Sequence, residues 1–125
     1  MSALTLDPVA LEGFGIAPSL EGDRLVLRLS GTGDMTAVRH LEHILRGAHA
    51  EVGRLGLRAV DIDIKALYLL NSSCLKGLVS FVYTIQSEGP RYEVRFITDP
   101  HLSWQQRSLR VIERLAPDIV SILEA

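Results

Sequence analysis

The feature that most constrains this chain is the repeated alternation of strand-like and helix-like apolar patterns. Leu25, Leu27 and Leu29 alternate with other residues, as in a strand with one strongly apolar face. An apolar series with helical spacing follows, at Val38, Leu41, Leu45, Ala48, Val52 and Leu55. A second strand pattern over residues 59–64 comes next, and two more helix–strand pairs complete the chain. Because strand–helix–strand units imply parallel pairing with right-handed crossovers, the sequence predicts an α/β fold with helices packed on one open mixed sheet.

The predicted element order is β-β-α-β-α-β-α-β. Residues 14–20 and 25–30 form a hairpin around Glu21-Gly22-Asp23, and residues 31–34 break the second strand. Asp34 is placed to cap the first helix, which ends at Gly56. Residues 1–13 have no clear pattern, so we predict an N-terminal lead-in followed by one domain over residues 14–125.

The second half of the chain carries clear helix boundaries. Asn71-Ser72-Ser73 supplies capping residues for the second helix, and Gly89-Pro90 ends it. Asp99-Pro100 joins a strand to a third helix, with the proline in the first turn. That helix is expected to pack Trp104, Leu109, Ile112 and Leu115 or close neighbours of these, and residues 118–123 form the last strand.

Composition excludes several classes of function. The net charge of −2 argues against a basic nucleic-acid-binding surface. No apolar run approaches the roughly 20 residues of a membrane-spanning helix, and the N-terminus does not resemble a signal peptide. A single cysteine fits a reducing compartment. We therefore expect a cytoplasmic protein that binds neither nucleic acid nor membrane.

The sequence shows no convincing catalytic, metal or cofactor set, so we predict a non-enzymatic protein. His40 and His43 lie on a helix, but a solvated face explains them better than a metal site does. The glycines at 31 and 33 lack the third glycine of a dinucleotide-binding motif. Cys74 lies near a helix N-terminus, although a structural role is favoured over a reactive thiol. Three arginines at helical spacing are either solvated or face an acidic partner: Arg107, Arg110 and Arg114.

Three motifs, in order, resemble the STAS family of anti-sigma factor antagonists. Residues 29–34, Leu-Ser-Gly-Thr-Gly-Asp, are similar to the family's Leu-x-Gly-Glu-Leu-Asp stretch. Residues 67–75, Leu-Tyr-Leu-Leu-Asn-Ser-Ser-Cys-Leu, are similar to its apolar-apolar-Asp-Ser-Ser-Gly-Leu loop. Thr98-Asp99-Pro100 resembles its Ser-Pro helix start. The resemblance covers residues 14–123 and implies a SpoIIAA-like fold.

The resemblance also implies a serine phosphoswitch. In the family, the serine after the aspartate is phosphorylated by a partner kinase that is also the anti-sigma factor, and the matching residue is Ser72. This chain departs from the pattern at Asn71, where the family has aspartate, and at Cys74, where a side chain replaces glycine and stands in a partner's way. The partner-binding residues implied are Asp34, Asn71, Ser73, Cys74 and Lys76.

Two other functions remain open at this point. One is a STAS scaffold that is never phosphorylated and that self-associates as a homo-oligomer or joins a multiprotein signalling assembly. The other is a sensor domain for a small ligand such as a nucleotide or lipid, bound in a crevice beside residues 31–34.

Overall fold

A computed structural model of the chain describes residues 4–125. Over that range the chain forms six strands and three helices. The strands are β1 (Val9–Leu11), β2 (Phe14–Glu21), β3 (Arg24–Gly33), β4 (Ala59–Leu70), β5 (Glu93–Thr98) and β6 (Val120–Glu124). The helices are α1 (Val38–Leu55), α2 (Ser72–Glu88) and α3 (Ser103–Leu115).

All six strands form one mixed sheet in which spatial order follows chain order. The pairings β1–β2 and β2–β3 are antiparallel, and the pairings β3–β4, β4–β5 and β5–β6 are parallel. Since the three crossovers advance in the same direction, right-handed connections put all three helices on one face of the sheet. The predicted α/β fold with a single open mixed sheet is confirmed.

The core lies between the sheet and the helices. Every second residue along the strands points into it, and Leu27, Ile62 and Phe96 are examples that are fully buried. The α1 residues with the predicted spacing meet them: Leu41, Leu45, Ala48 and Val52 are buried. Helix α1 ends as predicted, because Gly56 adopts the left-handed conformation (φ 65°) and its N–H bonds back to the carbonyl of Val52.

The opposite face of the sheet is held by ion pairs. Asp61 on β4 is 3% exposed, and its carboxylate accepts hydrogen bonds of 2.7 Å from both Arg24 on β3 and Arg95 on β5. One carboxylate thus joins three neighbouring strands. Asp61 has a structural role that accounts for its burial without any acid–base chemistry.

Strand β1 lies within the segment that the sequence left without a pattern. Its three residues pair antiparallel with residues 14–16 of β2, so residues 9–11 belong to the sheet. A strand this short has too few positions to display a period of two, which is why the sequence did not reveal it.

The predicted break of β3 at residues 31–34 is wrong, because the strand continues to Gly33. The ladder to β4 shifts register on either side of residues 30 and 31 and then resumes. Gly31 makes this possible with a φ of 86°, and a Cβ there would lie 2.0 Å from the carbonyl oxygen of Gly13. The neighbouring Thr32 N–H donates to that same oxygen at 2.7 Å.

Helix α3 also starts later than predicted. Asp99 accepts a hydrogen bond from the backbone N–H of His101, so Pro100 lies in a separate turn and the helix begins at Ser103. At the other end of α3, Leu115 is 57% exposed, and its neighbour Ala116 joins the core in its place. Within residues 4–125, no helix is long and apolar enough to cross a membrane.

Candidate functional site

The candidate site lies where β3 and β4 end side by side. Gly33 is opposite Leu70 in the parallel ladder, and the N–H of Asn71 donates to the carbonyl of Gly33 at 2.8 Å. The approach is close, because a Cβ on Gly33 would lie 2.7 Å from Leu70 Cδ1. The segments that leave these two strands therefore emerge next to each other, at the carboxyl edge of the sheet.

Helix α2 starts at this edge and is capped as the sequence predicted. Asn71 is extended (φ −74°, ψ 168°), and its Oδ1 accepts a hydrogen bond from the N–H of Cys74 at 2.8 Å. Ser72 and Ser73 occupy the first two helical positions. Their backbone N–H groups lie in the first turn, where no carbonyl of the helix is in position to accept a hydrogen bond from them.

Ser72 is the exposed hydroxyl of the site. In the described part of the chain its side chain makes no hydrogen bond, and the first turn of α2 contains no acidic residue. Ser73 is half-buried, and Lys76, one turn further on, is exposed. A group attached to Ser72 would thus meet free N–H donors, the positive end of a helix and no carboxylate from that turn.

Asp34 is exposed in the segment after β3, but it does not cap α1 as predicted. The N-cap is Ala37, which has no side chain able to cap. The Asp34 carboxylate instead accepts hydrogen bonds from the hydroxyl (2.6 Å) and the N–H (3.0 Å) of Thr36. These bonds, that from the hydroxyl above all, lower the pKa of Asp34 below its ordinary value, so the site retains one fixed negative charge.

Cys74 is not part of the exposed surface. It is 1% exposed, and its Sγ lies 3.6 Å from the backbone carbonyl of Asp34, to which it donates. Burial, with smaller contributions from Asp34 and Glu42, raises the pKa of the thiol. The expectation that Cys74 contacts a partner, or obstructs one, is therefore wrong: the side chain points into the core and connects α2 to the neighbouring segment.

Three exposed apolar side chains near the site were not singled out from the sequence. Met35 is 68% exposed, Tyr68 65% and Leu69 54%. Strand β5 pairs with β4 only as far as Asp63, so the last residues of β4 have β3 on one side and, among residues 4–125, no strand on the other. The apolar run at residues 67–70 could have suggested this surface only if the length of β5 had been known.

Beside residues 31–34, where a ligand crevice was expected, both glycines have a close neighbour on one side. A Cβ on Gly31 would lie 2.0 Å from the carbonyl oxygen of Gly13, and one on Gly33 would lie 2.7 Å from Leu70 Cδ1. A cavity of about 380 Å³ lies elsewhere, between α1 and α2, and includes His49 and Phe81 in its wall.

Helix α1 carries the histidines that were weighed as metal ligands. Among residues 4–125, no group of three His, Cys, Asp or Glu side chains could hold a metal ion. His49 Nε2 lies 2.9 Å from the carbonyl of Gly89, and Nδ1 lies 2.7 Å from the hydroxyl of Tyr92. Because a carbonyl only accepts, Nε2 carries the proton and Nδ1 accepts from the phenol, whose pKa burial raises further.

Comparison with known proteins supports the fold through solved structures. No family model and no curated protein matches the sequence. An anti-sigma factor antagonist from Mycobacterium paratuberculosis superposes with a TM-score of 0.70 at 18% identity, covering 91% of this chain and 88% of that one. The protein TM1081, solved by NMR, gives 0.60 at 15% identity, covering 100% and 91%.

A third similar structure carries the name of the fold. It is an uncharacterised protein from Shewanella loihica with a SpoIIAA-like fold, with a TM-score of 0.53 at 17% identity, covering 100% of this chain and 92% of that one. At these identities the likeness concerns the backbone architecture. The chain therefore has the SpoIIAA-like α/β fold of anti-sigma factor antagonists, as its three motifs predicted.

Proposed function

We propose that this protein is a regulatory module that binds a kinase-like anti-sigma factor, or a related switch kinase, and that phosphorylation of Ser72 resets the binding. The observation that carries the proposal is the Ser72 hydroxyl, which is exposed and unpartnered within the described residues at the first position of α2. A kinase needs an accessible hydroxyl that the protein does not use for its own structure.

The chemistry of the helix start supports a phosphate at Ser72. The modification adds about −1.5 to −2 charges at pH 7. The N–H groups of Ser72 and Ser73 and the dipole of α2 favour negative charge there, so the fold tolerates the phosphate. Asp34 supplies a negative charge after β3, so phosphorylation turns a mixed surface into a strongly acidic one.

The surroundings of Ser72 support a protein partner. Met35, Tyr68 and Leu69 are exposed beside the ends of β3 and β4, and Lys76 is exposed one turn along α2. Apolar side chains ringed by polar groups are typical of protein–protein contact. A phosphate introduced into such a contact opposes binding, because the charge must lose water and meet the partner's groups. A protein of this fold from M. paratuberculosis is an anti-sigma factor antagonist, which supports a partner of the anti-sigma factor class.

Mass spectrometry tests the proposal directly. The protein is incubated with ATP and the kinase-like anti-sigma factors encoded near its gene, and the added mass is located. We expect one phosphate, on Ser72, and none on the variant Ser72→Ala. The matched control is Ser80→Ala, another exposed serine of α2, which should be phosphorylated like the wild type.

Binding measurements complete the test. Ser72→Asp should weaken binding to the kinase by about tenfold or more, whereas the free energy of unfolding should change by less than about 1 kcal/mol. If a kinase binds tightly but never modifies Ser72, the phosphoswitch is wrong and a scaffold function replaces it. If Ser72→Asp binds as well as the wild type, Ser72 lies outside the contact surface.

A further inference from the structure

A second surface lies away from the start of α2, where the later turns of α2 meet α3. Between the two helices runs a groove of about 290 Å³, which we call the α2–α3 groove. It is lined by Val79, Val82, Tyr83, Gln86, Ile112 and Leu115. At about 1.5 Å per residue, Tyr83 is some 16 Å along α2 from Ser72, so this surface is distinct from the candidate site.

The rim of the groove exposes large apolar side chains. Tyr83 is 67% exposed and Leu115 57%, and Val111, one turn before Leu115 on α3, is 52% exposed. Residues four apart on a helix share a face, so Val111 and Leu115 form one apolar edge. Isolated exposed apolar residues need no explanation, but a continuous apolar groove with such an edge marks a contact surface.

Next to this edge, α3 carries a row of three arginines. Arg107, Arg110 and Arg114 follow one another at spacings of three and four, so they lie on one face of α3. All three are exposed, and none has an ion pair or side-chain hydrogen bond within residues 4–125. Arg107 and Arg114 lie four and three residues from Val111 and so flank the apolar edge, whereas Arg110 lines a recess toward β6 with Glu113 and Glu124.

We propose that the α2–α3 groove binds an amphipathic, acidic helix of a partner protein. The groove runs between two helices, and its concave shape accepts a ridge of side chains from a third helix. The partner's apolar face would fill the groove, and carboxylates on one flank would face Arg107 and Arg114. Charge complementarity selects the acidic partner, because α3 offers cations without internal partners.

The shape of the surface favours this occupant over a lipid bilayer. A flat bilayer surface meets a convex apolar face, whereas here the apolar residues line a recess between α2 and α3. A second copy of the chain is disfavoured on charge, since its own α3 would bring another row of arginines. Both occupants nevertheless give distinct outcomes in the experiment below.

The test uses the full-length chain and a designed helical peptide of about 15 residues. The peptide has leucines at helical spacing on one face and glutamates on both flanks; its control replaces the glutamates by lysines. Binding is followed by amide chemical shifts in ¹H–¹⁵N spectra. We expect saturable shifts centred on Tyr83, Val111 and Leu115 with the acidic peptide, no saturable binding of the basic one, and weaker binding at high salt.

Charge-reversal variants locate the interaction. The double variant Arg107→Glu, Arg114→Glu should raise the Kd for the acidic peptide by about tenfold or more. The matched control is Arg39→Glu, Arg46→Glu on α1, two exposed arginines without an ion pair in the described chain, which should change the Kd by less than about twofold. Because all four side chains are exposed, thermal melting should confirm that both variants fold.

Several results would overturn the proposal. Absence of saturable binding, shifts that map to α1 or to Ser72, or equal losses in both double variants would each exclude an acidic helix in this groove. Binding of anionic vesicles in place of the peptide would assign the surface to a membrane. Concentration-dependent shifts of the same amides without peptide would assign it to a second copy. None of these outcomes bears on phosphorylation of Ser72.

Discussion

The cap of α2 offers the sharpest test of how this sequence builds the site. Asn71 accepts a 2.8 Å hydrogen bond from the N–H of Cys74, which has no acceptor within the helix. Asn71→Ala removes the acceptor and keeps the backbone, so we expect a loss of about 1 kcal/mol in the free energy of unfolding. For a domain of this length that corresponds to a fall in Tm of about 3–5 °C.

Asn71→Asp separates the cap from the charge. Aspartate retains the acceptor and adds a negative charge at the positive end of α2, whose first turn carries no acidic residue. We expect Asn71→Asp to be at least as stable as the wild type at pH 7, with a gain of about 0.3–1 kcal/mol. Because the helix lowers the pKa of this aspartate in the folded state, the gain should decline as the pH falls below about 4 and be lost once the pH passes below that lowered pKa.

Urea unfolding at pH 7 and at about pH 3 measures both effects on the same variants. Ser73→Ala is the matched control, because the Ser73 hydroxyl makes no hydrogen bond in residues 4–125, and its effect should stay within about 0.5 kcal/mol. If Asn71→Ala is as stable as the wild type, or Asn71→Asp is the least stable of the set, the cap does not determine where α2 begins.

Two further predictions concern stability. Gly31→Ala should lower the free energy of unfolding by more than about 2 kcal/mol, because alanine is strained at φ 86° and its Cβ meets a carbonyl oxygen. The control Gly22→Ala, at φ 65° with open space around the Cβ, should lower it by about 1 kcal/mol. If urea unfolding gives similar losses for both variants, the clash at Gly31 is contradicted. Hydrogen bonds from Arg54 lower the pKa of the buried Glu51 carboxyl from its ordinary 4.5 to about 2. The ionised Glu51 carboxylate therefore stabilises the fold above pH 4.5, and this contribution to the free energy of unfolding is lost as the pH falls toward 2. The stability of Glu51→Gln should therefore fall less over that interval, and parallel pH profiles would refute the assignment.

Local patterns in the sequence predicted most of the fold. The apolar spacing of α1 and its end at Gly56 depend on side chains three and four residues apart and on one residue's backbone freedom. The start of α2 directly after Asn71 and its end before Gly89 are equally local, because capping bonds close within one turn. Such features need no knowledge of the rest of the chain.

The candidate site was predicted only in part. Ser72 lies exposed at the helix start, as the motif implied, and Asn71 caps it. Asp34 is near but binds Thr36 instead of capping α1, since the intervening turn lets its carboxylate bond to a closer N–H. Cys74 points inward, and nothing in its neighbours along the chain distinguishes an inward from an outward direction.

What the sequence determined by itself is the order of strands and helices from residue 14 onward, the end of α1 at Gly56, the cap of α2 at Asn71 and the serine that begins α2. Each of these follows from interactions between residues close in the chain. The tertiary structure alone decided which side chains are left uncovered. Leu69 and Leu115 are exposed, and Cys74 is buried, because of where neighbouring strands and helices end. Burial depends on partners distant in sequence, so both proposed surfaces became visible only in the folded chain.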